Sequence, residues 1–330
     1  MASFGTDTII NPYQIFARRL NLLVHKPSLH KIQNWFINQH SAEHLAKREL
    51  PNGLWIICGY GRLGKAIQSH LIKDGIEIKI IDPEPEINNA PEGTITGRGT
   101  EAKTLHEADI LNASVIIAAS DDDANNLSIL ITAQQINSDI YTIGRVNKES
   151  NQALFAQAKC DYIMRRGQLV ANEVLTSISR PLVSKFINYS KSLSQNDTDD
   201  LISEISSLTK NRDPITWRLK IDQIHSPAFV RHLQTDKLLN VGQVCSHQDW
   251  PKARCIPLLL LRGGVSHLLP SNDTPLSIDD ELLLCGNRKR LMLAQHLREN
   301  SELVDTLINN NTHEIPLLRW LSRKNNIKAS

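Results

Sequence analysis

The sequence predicts an α/β chain with a doubly wound parallel sheet, a smaller α+β domain after it and a helical leader before it. Three observations carry that reading. Between residues 53 and 166, strand-length apolar runs alternate with helical stretches, the order that right-handed crossovers build into a parallel sheet covered on both faces. The first run ends in Gly59-Tyr60-Gly61-Arg62-Leu63-Gly64, and the next ends in an acid, Asp82. Beyond Asp213 the texture changes to alternating strands joined by a Gly-Gly turn.

Each residue type around the glycines has a mechanical role. The apolar run Leu54–Cys58 delivers the chain to Gly59, which makes a tight turn. Gly61 lacks a Cβ, so the backbone can approach a pyrophosphate, and Gly64 lets the following helix pack on the sheet. That helix starts near Arg62 and points its unpaired N–H groups and positive dipole end at the phosphates. Asp82, after the run 77–81, stands at the ribose distance, where a carboxylate accepts ribose hydroxyls and repels a 2′-phosphate. The expected ligand is NAD(H) or an adenine nucleotide (ATP, ADP or AMP), not NADP. Residues 53–166 thus read as a Rossmann-like nucleotide-binding domain.

The remaining elements follow in order. A short strand at 94–97 leads to Thr100, a hydroxyl cap for a helix opening at 100–105. The apolar strand 114–119 runs into Ser120-Asp121-Asp122-Asp123, whose acids suit the start of a helix reaching Ile136. Strand 140–143 ends at Gly144-Arg145, a helix spans 149–158, and 162–164 is the sixth strand. Residues 167–212 read as a crossover helix and hinge: a helical pattern at 168–189, kinked or broken at Pro181, then a polar hinge or loop at 190–200. The α+β domain spans 213–300, with strands at 217–221, 256–261, 265–270 and 282–285, a hairpin turn at Gly263-Gly264, and a helix at 291–297.

The leader, 1–52, carries Ile15-Phe16, Leu20, Leu22-Leu23 and Trp35-Phe36 among Arg18, Arg19, Lys26 and Lys31. It reads as a pair of helices packed on the chain's own surface, with a segment lying against a membrane as the alternative. The tail, 301–330, poses the same choice through 317–324. Residues 4–12 resemble a connector that follows something upstream.

Composition excludes several classes. At 330 residues, with a net charge of +2, the chain has room for two domains and no general attraction to nucleic acid. Five cysteines, odd in number and mostly within apolar runs, fit packed reduced thiols rather than a disulfide framework or a zinc site. His40 and His44 share an i, i+4 spacing but have no third ligand nearby, so no metal is expected. The longest apolar runs are strand-sized, well short of the roughly twenty residues that span a bilayer.

Four strand-end motifs carry a resemblance: Gly59 to Gly64, Gly97-Arg98-Gly99-Thr100, Ser120 to Leu127, and Gly144-Arg145-Val146-Asn147. Together they resemble the RCK family, regulators of potassium conductance, also called KTN or Trk-N domains. The later module, with Leu260-Leu261-Arg262-Gly263-Gly264 and the run from Asp279 to Leu282 before Gly286, is similar to the RCK C-terminal domain. The resemblance covers about residues 53–297. It implies the cytoplasmic nucleotide-sensing part of a bacterial potassium channel or of a Trk, Ktr or Kef system, working at the inner face of the membrane. It implies a homodimer or larger ring whose shape follows the nucleotide and gates a membrane pore, held by another subunit or by a segment absent from this chain.

Carried over by motif, Gly59, Tyr60, Gly61, Arg62, Leu63 and Gly64 hold phosphates, with Arg62 helping to neutralise them. Asp82 holds ribose, and Gly99 and Thr100 belong to the second motif. Ser120 and Asp121 border the nucleoside, and Arg145 faces the same cleft. The chain departs from many relatives in having Arg98 between two glycines where they have an acid.

Two rivals keep the same nucleotide half. An NAD-dependent oxidoreductase needs a general acid or base in its second domain, and His225, His232, His247 and His267 are scattered there without a motif. A free-standing nucleotide sensor needs no pore at all.

Overall fold

The computed structural model describes residues 10–37, 50–72, 75–210, 212–235, 237–245 and 254–309. They fall into two compact units, one within Met1–His30 and His40–Leu175, the other within Lys31–Gln39 and Thr176–Ser330.

The chain enters through helices α1 (Pro12–His25) and α2 (Pro27–Ile37). The first unit continues with β1 (Leu54–Cys58), α3 (Arg62–Leu71), β2 (Ile78–Asp82), β3 (Ile95–Thr96), α4 (Ala102–Glu107) and β4 (Ala113–Ala118). It goes on with α5 (Asp123–Ile136), β5 (Tyr141–Val146), α6 (Gln152–Gln157), β6 (Tyr162–Arg165) and the start of α7 (Arg166–Ser179). The six strands are parallel, in the order β3-β2-β1-β4-β5-β6. The chain builds outward from β1 to β3, then returns to the other side of β1 with β4. That reversal opens a crevice at the C-terminal ends of β1 and β4.

Alternate side chains of each buried strand feed two cores, because successive Cβ atoms leave opposite faces of a sheet. Trp55, Ile57, Ile80, Val115, Ile117, Tyr141 and Ile143 pack under Leu63, Ala66 and Ile67 of α3 and Phe16 and Leu20 of α1. Leu54, Ile56, Cys58, Ile81, Ile116 and Ala118 pack on the other face under Leu105, Ile129, Leu130 and Phe155. The leader therefore spends the apolar side of α1 on its own sheet, with Phe16 and Tyr162 rings 5.8 Å apart. A membrane-lying α1 is overturned by that burial. Residues 317–324, and His40 and His44, lie outside the described residues.

The second unit contains α8 (Pro181–Tyr189), α9 (Gln195–Thr209), β7 (Ile215–Lys220), α10 (Pro227–Leu233), α11 (Val241–Cys245), β8 (Cys255–Arg262), β9 (Val265–Leu268), β10 (Glu281–Gly286), α12 (Arg288–Leu297) and α13 (Ser301–Asn309). Its sheet is antiparallel, ordered β7-β10-β8-β9. Gly263 and Gly264, at φ +54° and +84°, make the two-residue turn between β8 and β9. Pro181 breaks the long helical pattern and becomes the first residue of α8.

Three local expectations are corrected. Residues 190–200 are not a hinge or loop: a 3₁₀ turn at Ser190–Ser192 passes into α9, whose start is fixed by a reciprocal cap between Ser194 and Asp197. Thr100 does not cap α4, whose N-cap is Glu101, with no side-chain bond to the helix. The chain after 300 begins with a packed helix, because Leu303 and Val304 of α13 are buried in the core with Phe229 and Leu293.

Candidate functional site

The glycine turn lies at the crevice and each glycine there has a separate job. Gly59 leaves β1 at φ +101°, a conformation that a side chain disfavours. A Cβ on Gly64 would overlap the Gly59 carbonyl oxygen, so glycine at 64 is what lets α3 start this close to the strand. A Cβ on Gly61 would meet no atom within 4 Å, at an ordinary φ of −73°. Gly61 thus leaves open space above the turn. As N-cap of α3 it offers no side chain to the helix, so the first N–H groups keep their donor capacity and the helix dipole its positive end.

Asp82 ends β2 and is 2% exposed. Its Oδ2 accepts from the Tyr60 backbone N–H at 2.6 Å, and its Oδ1 accepts from the Glu84 N–H and from Asn88 Nδ2, both at 2.9 Å. A carboxylate has about four acceptor positions. Three are taken by the protein. Tyr60 contributes to the turn through its backbone, while its hydroxyl donates to Gln68 Oε1 on α3 and burial raises its pKa. Leu63 does not face the crevice, because its side chain is buried in the core under α3. Gly99 packs on Cys58, where a Cβ would come within 2.6 Å of Sγ. Thr100 follows it, half-buried, and Arg98 is exposed.

On the β4 and β5 side, Ser120, Asp121 and Arg145 come together. Arg145 is 4% exposed; its Nη2 pairs with Asp121 Oδ1 at 2.5 Å and its Nη1 donates to the Ala119 carbonyl at 3.3 Å. Its Nε has no partner. The ion pair is lopsided: the arginine side chain is buried, whereas the Asp121 side chain is 75% exposed.

Three residues of the site escaped the sequence reading. Asn126, fully buried in α5, accepts from the Ser120 N–H at 3.0 Å and hydroxyl at 2.7 Å, and donates to the carbonyls of Ser120 and Arg145 at 3.0 and 2.9 Å. It ties the ends of β4 and β5 together. Asp123 pins the loop after β5 through Asn147, Lys148 and Asn151. Burial alone would raise its pKa, but these hydrogen bonds outweigh it and hold the carboxyl below its ordinary value. Tyr13, from the first turn of α1, reaches the crevice, with Arg62 Cζ 5.1 Å and Arg145 Cζ 5.4 Å from its ring centroid. Arg166 Nη1 donates to its hydroxyl at 3.4 Å. Asn126 and Asp123 stood in a motif without a feature to single them out. Tyr13 sat among leader residues with no local signal of what it touches.

Among the described residues, no group of three or more His, Cys, Asp or Glu side chains is arranged to hold a metal ion. The five cysteines are free and buried.

A doubly wound sheet with an open glycine turn at its switch point, an acid bracing that turn and a buried arginine beside it defines a Rossmann-type domain with an anion-ready crevice. Residues 55–166 match the TrkA-N domain. The chain is 33% identical over 158 residues to a Trk system potassium uptake protein TrkA homolog of Methanothermobacter thermautotrophicus, covering 46% of this chain and 70% of that one. It is 31% identical over 150 residues to potassium channel protein 1 of Methanocaldococcus jannaschii, covering 40% of this chain and 45% of that one. The chain belongs to the TrkA-N family. Among solved structures, it is similar to the GsuK RCK domain, at 19% identity and a TM-score of 0.37, covering 80% of this chain and 48% of that one.

Proposed function

We propose that this chain is the nucleotide-sensing regulatory part of a potassium channel or transporter and has no catalytic role. One observation carries the reading: the space left open over Gly61, at an uncapped helix N-terminus, beside the buried Arg145. This combination suits a phosphate group, which helix N–H groups and a desolvated guanidinium both attract. The names of its relatives, Trk potassium uptake protein and potassium channel, support the transport role. Residues 53–166 hold NAD(H) or an adenine nucleotide in this reading, and residues 213–300 form the companion RCK C-terminal-like domain.

Regulation requires two shapes. A nucleotide shifts their balance only by binding one more tightly than the other, and the pore responds to whichever prevails. Among the described residues no helix is long and apolar enough to cross a membrane. In this reading the pore is held by a partner subunit or by a segment outside this chain. The working location is then the cytoplasmic face of the membrane. Self-association into a dimer or ring is supported by apolar side chains left at the surface: Ile131, Leu154, Leu175 and Ile178.

The oxidoreductase reading needs a general base within reach of substrate. The His232–Asp305 pair, at 2.9 Å, has suitable chemistry, but the His232 side chain is 2% exposed. Isothermal calorimetry with NAD, NADH, ATP, ADP and AMP tests the proposal: one or more bind to the wild type, and Gly61→Ala weakens that binding without loss of fold. If none of the five binds, the reading is wrong. Steady turnover of NADH with small carbonyl substrates would instead favour the enzyme.

A further inference from the structure

The positive side chains of the crevice converge on an aromatic ring. Arg62 at the start of α3 and Arg145 on β5 lie 5.1 and 5.4 Å from the Tyr13 centroid, and Arg166 donates to its hydroxyl. With Asp121 the cluster carries three positive charges against one negative, and the buried Arg145 Nε is unsatisfied. Such a set favours an added anion.

Tyr13 is no loose appendage. It is 6% exposed, and the Asn11 side chain accepts from the backbone N–H groups of Tyr13 and Gln14 at 3.0 and 3.4 Å. Pro12 opens the helix, and Ile15 and Phe16 behind the ring are buried in the core of the sheet. The ring is held where it stands by the docking of α1.

The strand order gives that place a meaning. Asp82 ends β2, the glycine turn follows β1, and Arg145 lies on β5, with β4 between. A nucleotide with its ribose at Asp82 and its phosphates over Gly61 runs from β2 across β1 towards β4 and β5. A mononucleotide stops there, with its phosphates at Arg62 and Arg145. A dinucleotide continues with a second ribose and base into the part of the crevice that Tyr13 occupies.

We propose that Tyr13 is a selectivity element: by filling the β4–β5 half of the crevice, it makes this an adenine mononucleotide site for AMP, ADP or ATP and penalises NAD(H). This rests on the nucleotide reading above and deepens it. NAD binds only when the ring is displaced, so its apparent affinity falls by the fraction of time the ring is out. If that fraction is about a tenth, the penalty is about tenfold.

Calorimetry of the full chain with ADP and NAD separates the outcomes. The wild type binds ADP about tenfold or more tightly than NAD; Tyr13→Ala strengthens NAD binding and brings the ratio to about twofold, with ADP affinity changed less than about threefold. Tyr13→Leu, which keeps apolar bulk at the helix start but removes the ring, gives an intermediate ratio and guards against undocking of α1. In the wild type, saturating NAD speeds hydrogen exchange at the amides of 13–16, and ADP does not. Equal affinity for NAD and ADP in the wild type, or a ratio unmoved in both variants, overturns the role of Tyr13 and leaves the nucleotide reading standing. Failure of every nucleotide to bind overturns both.

Discussion

The carboxylate of Asp82 accepts the backbone N–H of Tyr60 at 2.6 Å, so the acid that ends β2 braces the glycine turn that ends β1. Two features that the sequence presents as separate ligand contacts are one mechanical unit.

Removal of the brace therefore costs stability as well as binding. Asp82→Ala leaves the Tyr60 and Glu84 N–H groups and Asn88 Nδ2 without their acceptor. Each unsatisfied buried donor costs about 1–3 kcal/mol, less where water enters the gap, so a net loss of about 2–4 kcal/mol is expected in urea denaturation. An unchanged midpoint would show that the brace is dispensable.

Gly61 and Gly64 should separate function from folding. Gly61→Ala adds a methyl group to open space at an allowed φ, so thermal stability holds within about 1 kcal/mol while nucleotide affinity drops. Gly64→Ala forces a methyl group against the Gly59 carbonyl, and overpacking of this kind costs about 1–3 kcal/mol or more. Calorimetry and thermal melts on the two variants read the contrast directly. Equal melting temperatures in both would contradict it.

His30 gives the first unit an acid sensitivity. Burial, with a smaller contribution from the nearby Arg19 charge, lowers its pKa to about 4, and its Nε2 has no partner. Below about pH 6.5 the unfolded chain takes a proton that the folded chain refuses, so stability falls as pH drops towards 4. At about 1.4 kcal/mol per unit, the loss from this group alone reaches about 2 kcal/mol by pH 5. Urea titrations at pH 7.5 and 5 should show it in the wild type and show a flatter dependence in His30→Leu. The same slope in both would assign the sensitivity elsewhere.

Self-association through the helices has its own readout. Leu175 and Ile178 stand three residues apart on α7, 57% and 76% exposed. Ile178→Lys is expected to shift the mass seen by light scattering towards the monomer with little change in melting temperature. An unaltered mass would remove α7 from the contact.

Much of the first unit was legible because its signals are local. Apolar runs of strand length, separated by helical stretches, mark the buried strands, and the glycine spacing marks the turn, whereas β3, with Ile95 and Thr96, shows no apolar run. The second unit was harder to read. The polar stretch 190–200 has the composition of a loop because the first buried apolar residue of α9 is Leu201, and Ser194 and Asp197 suit a loop as well as a helix cap. Helices α10 and α11, seven and five residues long, are too short to show a period.

By itself, the sequence determined the sheet, the turn and the acid, because their residues are adjacent or one crossover apart and obey fixed spacings. Tertiary structure alone decided that Arg145 is buried, that Asp82 points at Tyr60 and that Tyr13 stands between two arginines. Tyr13 and Arg145 meet only after α1 docks on the finished sheet. No periodicity or spacing records a contact made by packing across so much chain, yet that contact shapes the crevice.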